Sequence, residues 1–184
     1  MEPVNIVLCG LGGQGILFVT KVLAETSLKK GYRILGAETH GMAQRGGSVV
    51  SHLRIGGVQS SLVRAGGAEV MLALEEHEGY RNLPFLREGA RLYVNAKTGR
   101  FPRDDVKAYL DKRGVSYHST AAGEMAMDLG APMSTNLALL GYYSAFEDMP
   151  AVGAELRETI EHITPERFLE DNLRVFDAGH QAAS

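Results

Sequence analysis

The sequence predicts an α/β fold: a three-layer, Rossmann-like sandwich with a mixed sheet, a hairpin after the second strand and helices at the C-terminus. Three observations carry that expectation. The apolar run VNIVLC passes directly into GLGGQG and then into an amphipathic stretch. Hydrophobic periods of two and of 3.6 alternate along the second half of the chain. Gly56-Gly57 separates two apolar stretches, a turn signal that makes the sheet mixed rather than purely parallel.

Taken in order, Val4–Cys9 reads as a buried strand, and Gly15–Lys30 as a helix with Ile16, Val19, Leu23 and Ala24 on one face. Gly31 stops that helix, and Arg33–Glu38 forms a second strand. THGMAQRGG has no helical stripe and reads as a loop, followed by an alternating strand at Ser48–Ile55. After Gly56-Gly57, Val58–Val63 is expected to return antiparallel. Val70–Leu74 is a strand, Glu75–Arg87 largely helical with a break expected near Pro84, and Arg91–Asn95 a strand. Asp104–Arg113 reads as a helix, Val115–Ser119 as a strand and Ala121–Leu129 as a short helix. Ser134–Phe146 is a small-residue-rich helix capped by Ser134 or Thr135. Helices at about Val152–His162 and Pro165–Ala178 close the chain, the last with Thr164 as its cap and Pro165 in its first turn.

The 184 residues carry 45% hydrophobic side chains, enough for one domain over residues 1–184 with a substantial core. A net charge of −3 without a basic stripe points away from nucleic acid and from anionic membranes. No apolar run approaches the length of a membrane span and no leader is evident, so a cytoplasmic chain is expected. The one cysteine, Cys9, cannot form an internal disulfide or hold an iron–sulfur cluster or a thiolate zinc site, and it reads as a small core residue. No metal site is expected in this chain.

Gly10, Gly12 and Gly15 have the G-x-G-x-x-G spacing between a strand and a helix, and Gly12 is expected to need positive φ or a close backbone approach. Exposed amides at such a helix start favour an anion. Glu38 follows Gly15 by 23 residues, near the place of the acid that holds a ribose in dinucleotide sites. Against a dinucleotide site stands the segment after Glu38. A crossover to a third parallel strand needs a dozen or more residues, whereas nine separate Glu38 from Ser48, three of them glycine. Gly13 and Gln14 add a flexible position and a carboxamide to the loop.

THGMAQRGGS gathers Thr39, His40, Gly41, Gln44, Arg45, Gly46, Gly47 and Ser48 at the carboxyl end of a predicted strand. Ligands of open α/β sheets collect at that edge, so both glycine loops should face one crevice. Arg45 can hold a carboxylate or phosphate bidentately and the Gly46-Gly47 amides can add a nest, although Arg45 could equally pair with Glu38. His40 is a second candidate for anion contact; Gln14 and Gln44 suit oriented hydrogen bonds, and Met42 suits packing. Asn136, at a helix start, is a weaker binding candidate that capping or packing also explains. No nucleophile with its base and no paired-carboxylate site is recognisable.

GLGGQGILF and ETHGMAQRGGSVVSHLRIG together, with AGGAEVMLALE, MSTNLALLG and NLRVFDAG, resemble the gamma-type domain of the 2-oxoacid:ferredoxin oxidoreductases over nearly the whole chain. THGMAQRGG is similar to the indolepyruvate branch of that family. The resemblance implies conversion of a 2-oxoacid, coenzyme A and oxidised ferredoxin into an acyl-CoA, carbon dioxide and reduced ferredoxin. It also implies a large alpha subunit that carries thiamine diphosphate, magnesium and the iron–sulfur clusters, with coenzyme A as co-substrate and ferredoxin as electron acceptor. This chain would complete that subunit's active site and be inactive alone, and an isolated copy could pair with itself. Two readings compete with it: a stand-alone NAD- or flavin-binding oxidoreductase using GLGGQG, and a small-molecule sensor domain.

Overall fold

The computed structural model describes residues 2–41, 46–97, 100–146 and 153–183. Gln44 and Arg45, with Met42, lie outside the described residues, as does Val152. Six strands are present among the described residues: β1 Val4–Leu11, β2 Ile34–His40, β3 Ser48–Ile55, β4 Ala68–Ala73, β5 Leu86–Asn95 and β6 Ser116–Thr120. The helices are α1 Ile16–Lys29, α2 Glu76–Asn82, α3 Asp104–Lys112, α4 Ala122–Asp128, α5 Thr135–Ser144, α6 Gly153–Ile163 and α7 Glu166–Gln181.

The sheet runs β2-β3-β1-β4-β5-β6. Strands β1, β4, β5 and β6 pair in parallel, while β3 is antiparallel to both β1 and β2. The expected mixed sheet is therefore present, and its hairpin is made by β2 with β3 around the second glycine segment. The expected return strand at Val58–Val63 does not form. Both edges of β3 are already hydrogen-bonded, from Val4↔Ile55 on one side and Ile34↔Ile55 on the other, so no ladder is left for it. Gly56 ends β3 at φ 106° with its amide on the Arg33 carbonyl, and Val58 and Val63 turn inward instead.

Period-two alternation divides the core between the sheet's faces. Ile6 and Leu8 of β1, Leu53 of β3 and Val70 and Leu72 of β4 pack with α1, α4, α5, α6 and α7. Val7, Cys9, Met71, Ala73, Leu92 and Val94 face the other way, toward Leu83 and the Leu110 side of α3. The helical reading of Glu75–Arg87 breaks where Pro84 lies: α2 ends at Asn82, a 3₁₀ turn covers Leu83–Phe85, and β5 begins at Leu86. Two expected caps are replaced. The Ser134 hydroxyl donates to Asn172 Oδ1 at 2.8 Å, tying the start of α5 to α7 rather than capping α5. Pro165 occupies the N-cap of α7, and the buried Thr164 hydroxyl caps nothing.

His52 on β3 is 3% exposed, set edge-on to Phe85 with ring centroids 5.1 Å apart. Burial holds its pKa below the ordinary imidazole value. The same holds for His118, between Tyr93 and Phe146, where burial and then the Arg91 charge act together. A folded state that keeps imidazoles neutral binds fewer protons than the unfolded chain, so this stability is present above the unfolded pKa and is lost as pH falls below it. The urea midpoint should therefore drop between about pH 7.5 and about pH 5.5. His52→Phe should reduce that drop, with His118 responsible for part of what remains. An identical pH dependence in the variant would remove His52 from the effect.

Candidate functional site

The site begins with the turn from β1 into α1. Positive φ falls on Gly13 (96°) and Gly15 (76°), not on Gly12. The Gly12 amide donates to the Gly47 carbonyl at 2.8 Å, so the two glycine segments are joined directly. A Cβ on Gly12 would meet that backbone only at ordinary contact distance, 3.7 Å. The tighter positions are Gly10 and Gly15. A Cβ on Gly10 would lie 2.5 Å from Gln14 Oε1, and one on Gly15 would lie 2.5 Å from Asn136 Nδ2.

Gln14 turns inward. Its Oε1 accepts from the Leu11 amide at 2.7 Å and its Nε2 donates to the Leu74 carbonyl at 3.5 Å, so the carboxamide braces the loop over Gly10. Asn136, 5% exposed at the start of α5, donates from Nδ2 to the Gly15 carbonyl at 3.1 Å, while its Oδ1 has no partner among the described residues. Sequence reasoning missed Asn95, whose Nδ2 also donates to the Leu74 carbonyl (3.1 Å) and whose Oδ1 accepts the Gly123 amide (3.0 Å). A lone amide at the carboxyl end of a strand was its one signal.

With the loop braced from behind, its front is open. Gly15 is the N-cap of α1, no side chain caps that helix and its first turn holds no acid. The amides of Gly13, Gly15, Ile16 and Leu17 find no acceptor among the described residues. They form the positive end of a four-turn helix, the arrangement that binds phosphate or carboxylate. These amides border a cleft of about 360 Å³ between the first loop and the hairpin, lined by Gly12, Gly13, Gly15, Leu17, His40 and Val49.

The hairpin supplies the opposite wall. Thr39 and His40 end β2 in register with Val50 and Val49. The exposed His40 ring stands 3.5 Å from Glu38. The Gly41 amide donates to the Ser48 carbonyl at 2.7 Å, and Gly46 adopts φ 66°. Ser48 Oγ donates to Glu78 Oε2 at 2.6 Å, a contact 30 residues apart in the chain that the sequence reading did not foresee. Glu75 caps α2 by accepting the Glu78 amide at 2.8 Å. Burial alone would raise the Glu75 pKa, yet the hydrogen bonds from His77 and the Glu78 amide hold the carboxyl below its ordinary range. Cys9 lies fully buried below, its thiol pushed up by burial and by the Glu78 and Glu75 charges, so it stays protonated.

This geometry disfavours the dinucleotide alternative. In a dinucleotide fold the strand bearing the ribose-binding acid lies beside the strand that enters the glycine loop. Here β3 is inserted between them, which places Glu38 two strands, or about 10 Å, away from β1. The donor set likewise does not suit an iron–sulfur cluster, since the one cysteine is buried in the core. No group of three or more His, Cys, Asp or Glu that could hold a metal ion occurs among the described residues, and no helix there is long and apolar enough to cross a membrane. The uncapped amides do fit a phosphate or carboxylate group.

Comparison with known proteins agrees with the resemblance. The chain is 34% identical over 191 residues to the indolepyruvate oxidoreductase subunit IorB of Methanothermobacter thermautotrophicus, covering 98% of this chain and 97% of that one. Its fold matches the gamma subunit of a keto/oxoacid ferredoxin oxidoreductase from Geobacter sulfurreducens with TM-score 0.76 at 22% identity, covering 98% of both chains. It also matches a 2-oxoglutarate:ferredoxin oxidoreductase from Magnetococcus marinus, solved with 2-oxoglutarate, coenzyme A and succinyl-CoA bound, with TM-score 0.80 at 20% identity; the match covers all of this chain and 31% of that one. At such identities the solved structures speak for the fold alone. The sequence profile of the pyruvate ferredoxin/flavodoxin oxidoreductases matches residues 5–182, and the chain belongs to that family.

Proposed function

We propose that this chain, as one gamma-type domain over residues 1–184, is a subunit of an indolepyruvate-type 2-oxoacid:ferredoxin oxidoreductase and completes the active site of a larger alpha subunit. The observation that carries the reading is the direct hydrogen bond between the two glycine segments, Gly12 to Gly47, beside an uncapped helix start. The relatives' names support the reaction class. Thiamine diphosphate, magnesium and the iron–sulfur clusters belong to the partner, where they supply the carbanion and electron-transfer chemistry; ferredoxin takes the electrons from the complex. This chain's part is binding and orientation. The amides of Gly13, Gly15, Ile16 and Leu17 receive an anionic group of a 2-oxoacid, of coenzyme A or of the partner's diphosphate, while the apolar Leu17 and Val49 and the His40 ring shield it from water. Arg45 and Gln44 are assigned to the same edge from their place in the sequence, Arg45 as a charge clamp. The complex is assigned to the cytoplasm.

Coexpression with a large thiamine- and cluster-bearing subunit tests the proposal. Coenzyme A-dependent reduction of ferredoxin or a viologen by indolepyruvate should require both chains. Arg45→Ala should lower kcat/KM of the complex about tenfold to a hundredfold, the loss expected for a charge-assisted contact, with the thermal midpoint unchanged. Turnover of indolepyruvate by the isolated chain, or a tight stoichiometric NAD or flavin complex, would overturn the assignment.

A further inference from the structure

We infer that Glu78, acting through Ser48, is the positioning residue that holds the hairpin wall of the cleft against the first glycine loop. The inference rests on the reading of these loops as the edge that meets a partner's active site.

The Glu78 side chain is 4% exposed, while its i,i+3 partner Arg81 is 66% exposed. An ion pair of that spacing needs no burial, since both groups could stand in water on the helix surface. The carboxylate is nonetheless turned inward, which costs desolvation that a surface pair would avoid. One oxygen stays with Arg81 at 3.0 Å; the other accepts from Ser48 Oγ at 2.6 Å, a short charge-assisted bond. The position of Glu78 is itself fixed, because its amide is held by the Glu75 cap and its carbonyl accepts from Asn82 Nδ2 at 2.8 Å.

From Ser48 the constraint passes to the site through the backbone. The Ser48 carbonyl receives the Gly41 amide at 2.7 Å and closes the base of the hairpin. The carbonyl of the adjacent Gly47 receives the Gly12 amide at 2.8 Å. Ser48 also ends the β1–β3 register opposite Leu11. A side-chain hydrogen bond is needed here because Gly41, Gly46 and Gly47 supply no packing of their own, and Gly46 sits at φ 66°. A glycine-rich wall can approach an anion closely only if something outside it fixes its place. Glu78, from a different element, does this without entering the cleft.

Amide hydrogen exchange on the full chain, read by NMR, tests the anchor without any partner. In Ser48→Ala the Gly12 and Gly41 amides should exchange about tenfold to a hundredfold faster, as expected for loss of a hydrogen bond to a charged group. Ser48→Thr, which keeps the hydroxyl, should restore slow exchange. Glu78→Gln, a neutral acceptor, should fall between, and Glu76→Gln should change nothing. Unchanged exchange in Ser48→Ala and Glu78→Gln overturns the inference whatever the kinetics. In the reconstituted complex, Ser48→Ala should raise the KM of an anionic substrate about tenfold with a smaller change in kcat. Faster exchange with unaltered KM would leave the anchor standing and overturn the reading of the loops as an active-site edge.

Discussion

Gly141→Ala should cost the chain about 3–5 kcal/mol, a large fraction of the roughly 5–15 kcal/mol that holds a domain folded. An alanine inside a helix ordinarily gains about 1 kcal/mol over glycine. Here the gain is overwhelmed, because a Cβ at Gly141 of α5 would be driven into the Phe176 carbonyl of α7. The arrangement is reciprocal: a Cβ at Gly179 of α7 would be driven into the Ala138 carbonyl of α5. The obstacle in both cases is backbone, which no rotamer change can move, so the helices must separate. They cannot separate cheaply, since Leu137, Leu140, Val175 and Phe176 fill the same core. Gly57→Ala, with nothing within 4 Å of the new atom, is the control and should stay within about 0.5 kcal/mol of the parent. Urea unfolding of the two variants decides the point, and a Gly141→Ala protein as stable as the control would show that α5 and α7 do not pack this closely. The contact reaches the site because α5 carries Asn136 at its first turn.

That dependence explains which parts of the molecule could be read from the sequence. Strand and helix periods located β1, α1, β4, α3 and α5 because those patterns are local. The alternation in Ser48–Ile55 likewise indicated a strand, but alternation states which face a residue occupies and not which neighbour the strand takes. The position of β3, inserted between β1 and β2, was therefore invisible, and Gly56-Gly57 suggested a hairpin partner that the doubly paired strand could not accept. The glycine segments were recognisable as a site by composition. Their braces were not, because Gly15 and Asn136 are 121 residues apart and Ser48 and Glu78 are 30 apart. Gln14 shows the limit from the other side. Its place in the loop was evident, but only the folded chain shows the carboxamide turned back over Gly10, with its Oε1 accepting from the Leu11 amide.

Gly15→Ala should strike both stability and function. At φ 76° an L-residue carries a left-handed strain of about 1–2 kcal/mol, and the added Cβ would stand 2.5 Å from Asn136 Nδ2. Displacing that amide breaks its bond to the Gly15 carbonyl, a further loss of about 1 kcal/mol. The expected total is about 2–4 kcal/mol, and a double-mutant cycle separates the parts. In Gly15→Ala/Asn136→Ala the collision is gone while the strain persists, so the pair should cost less than the sum of the single changes by about 1 kcal/mol. Strict additivity would mean that Asn136 is not what resists the side chain. Gly13→Ala, strained at φ 96° but open on all sides, should show the strain alone. The functional consequence follows from what Gly15 begins. A shift at the N-cap re-aims the uncapped amides of Ile16 and Leu17, and preorganised donors lose most of their effect when displaced by about 1 Å. The reconstituted complex should therefore lose activity about a hundredfold in Gly15→Ala, and far less in Gly13→Ala, although both substitutions strain a left-handed glycine. If the two variants lose activity equally, strain and not the aim of the α1 amides limits the site.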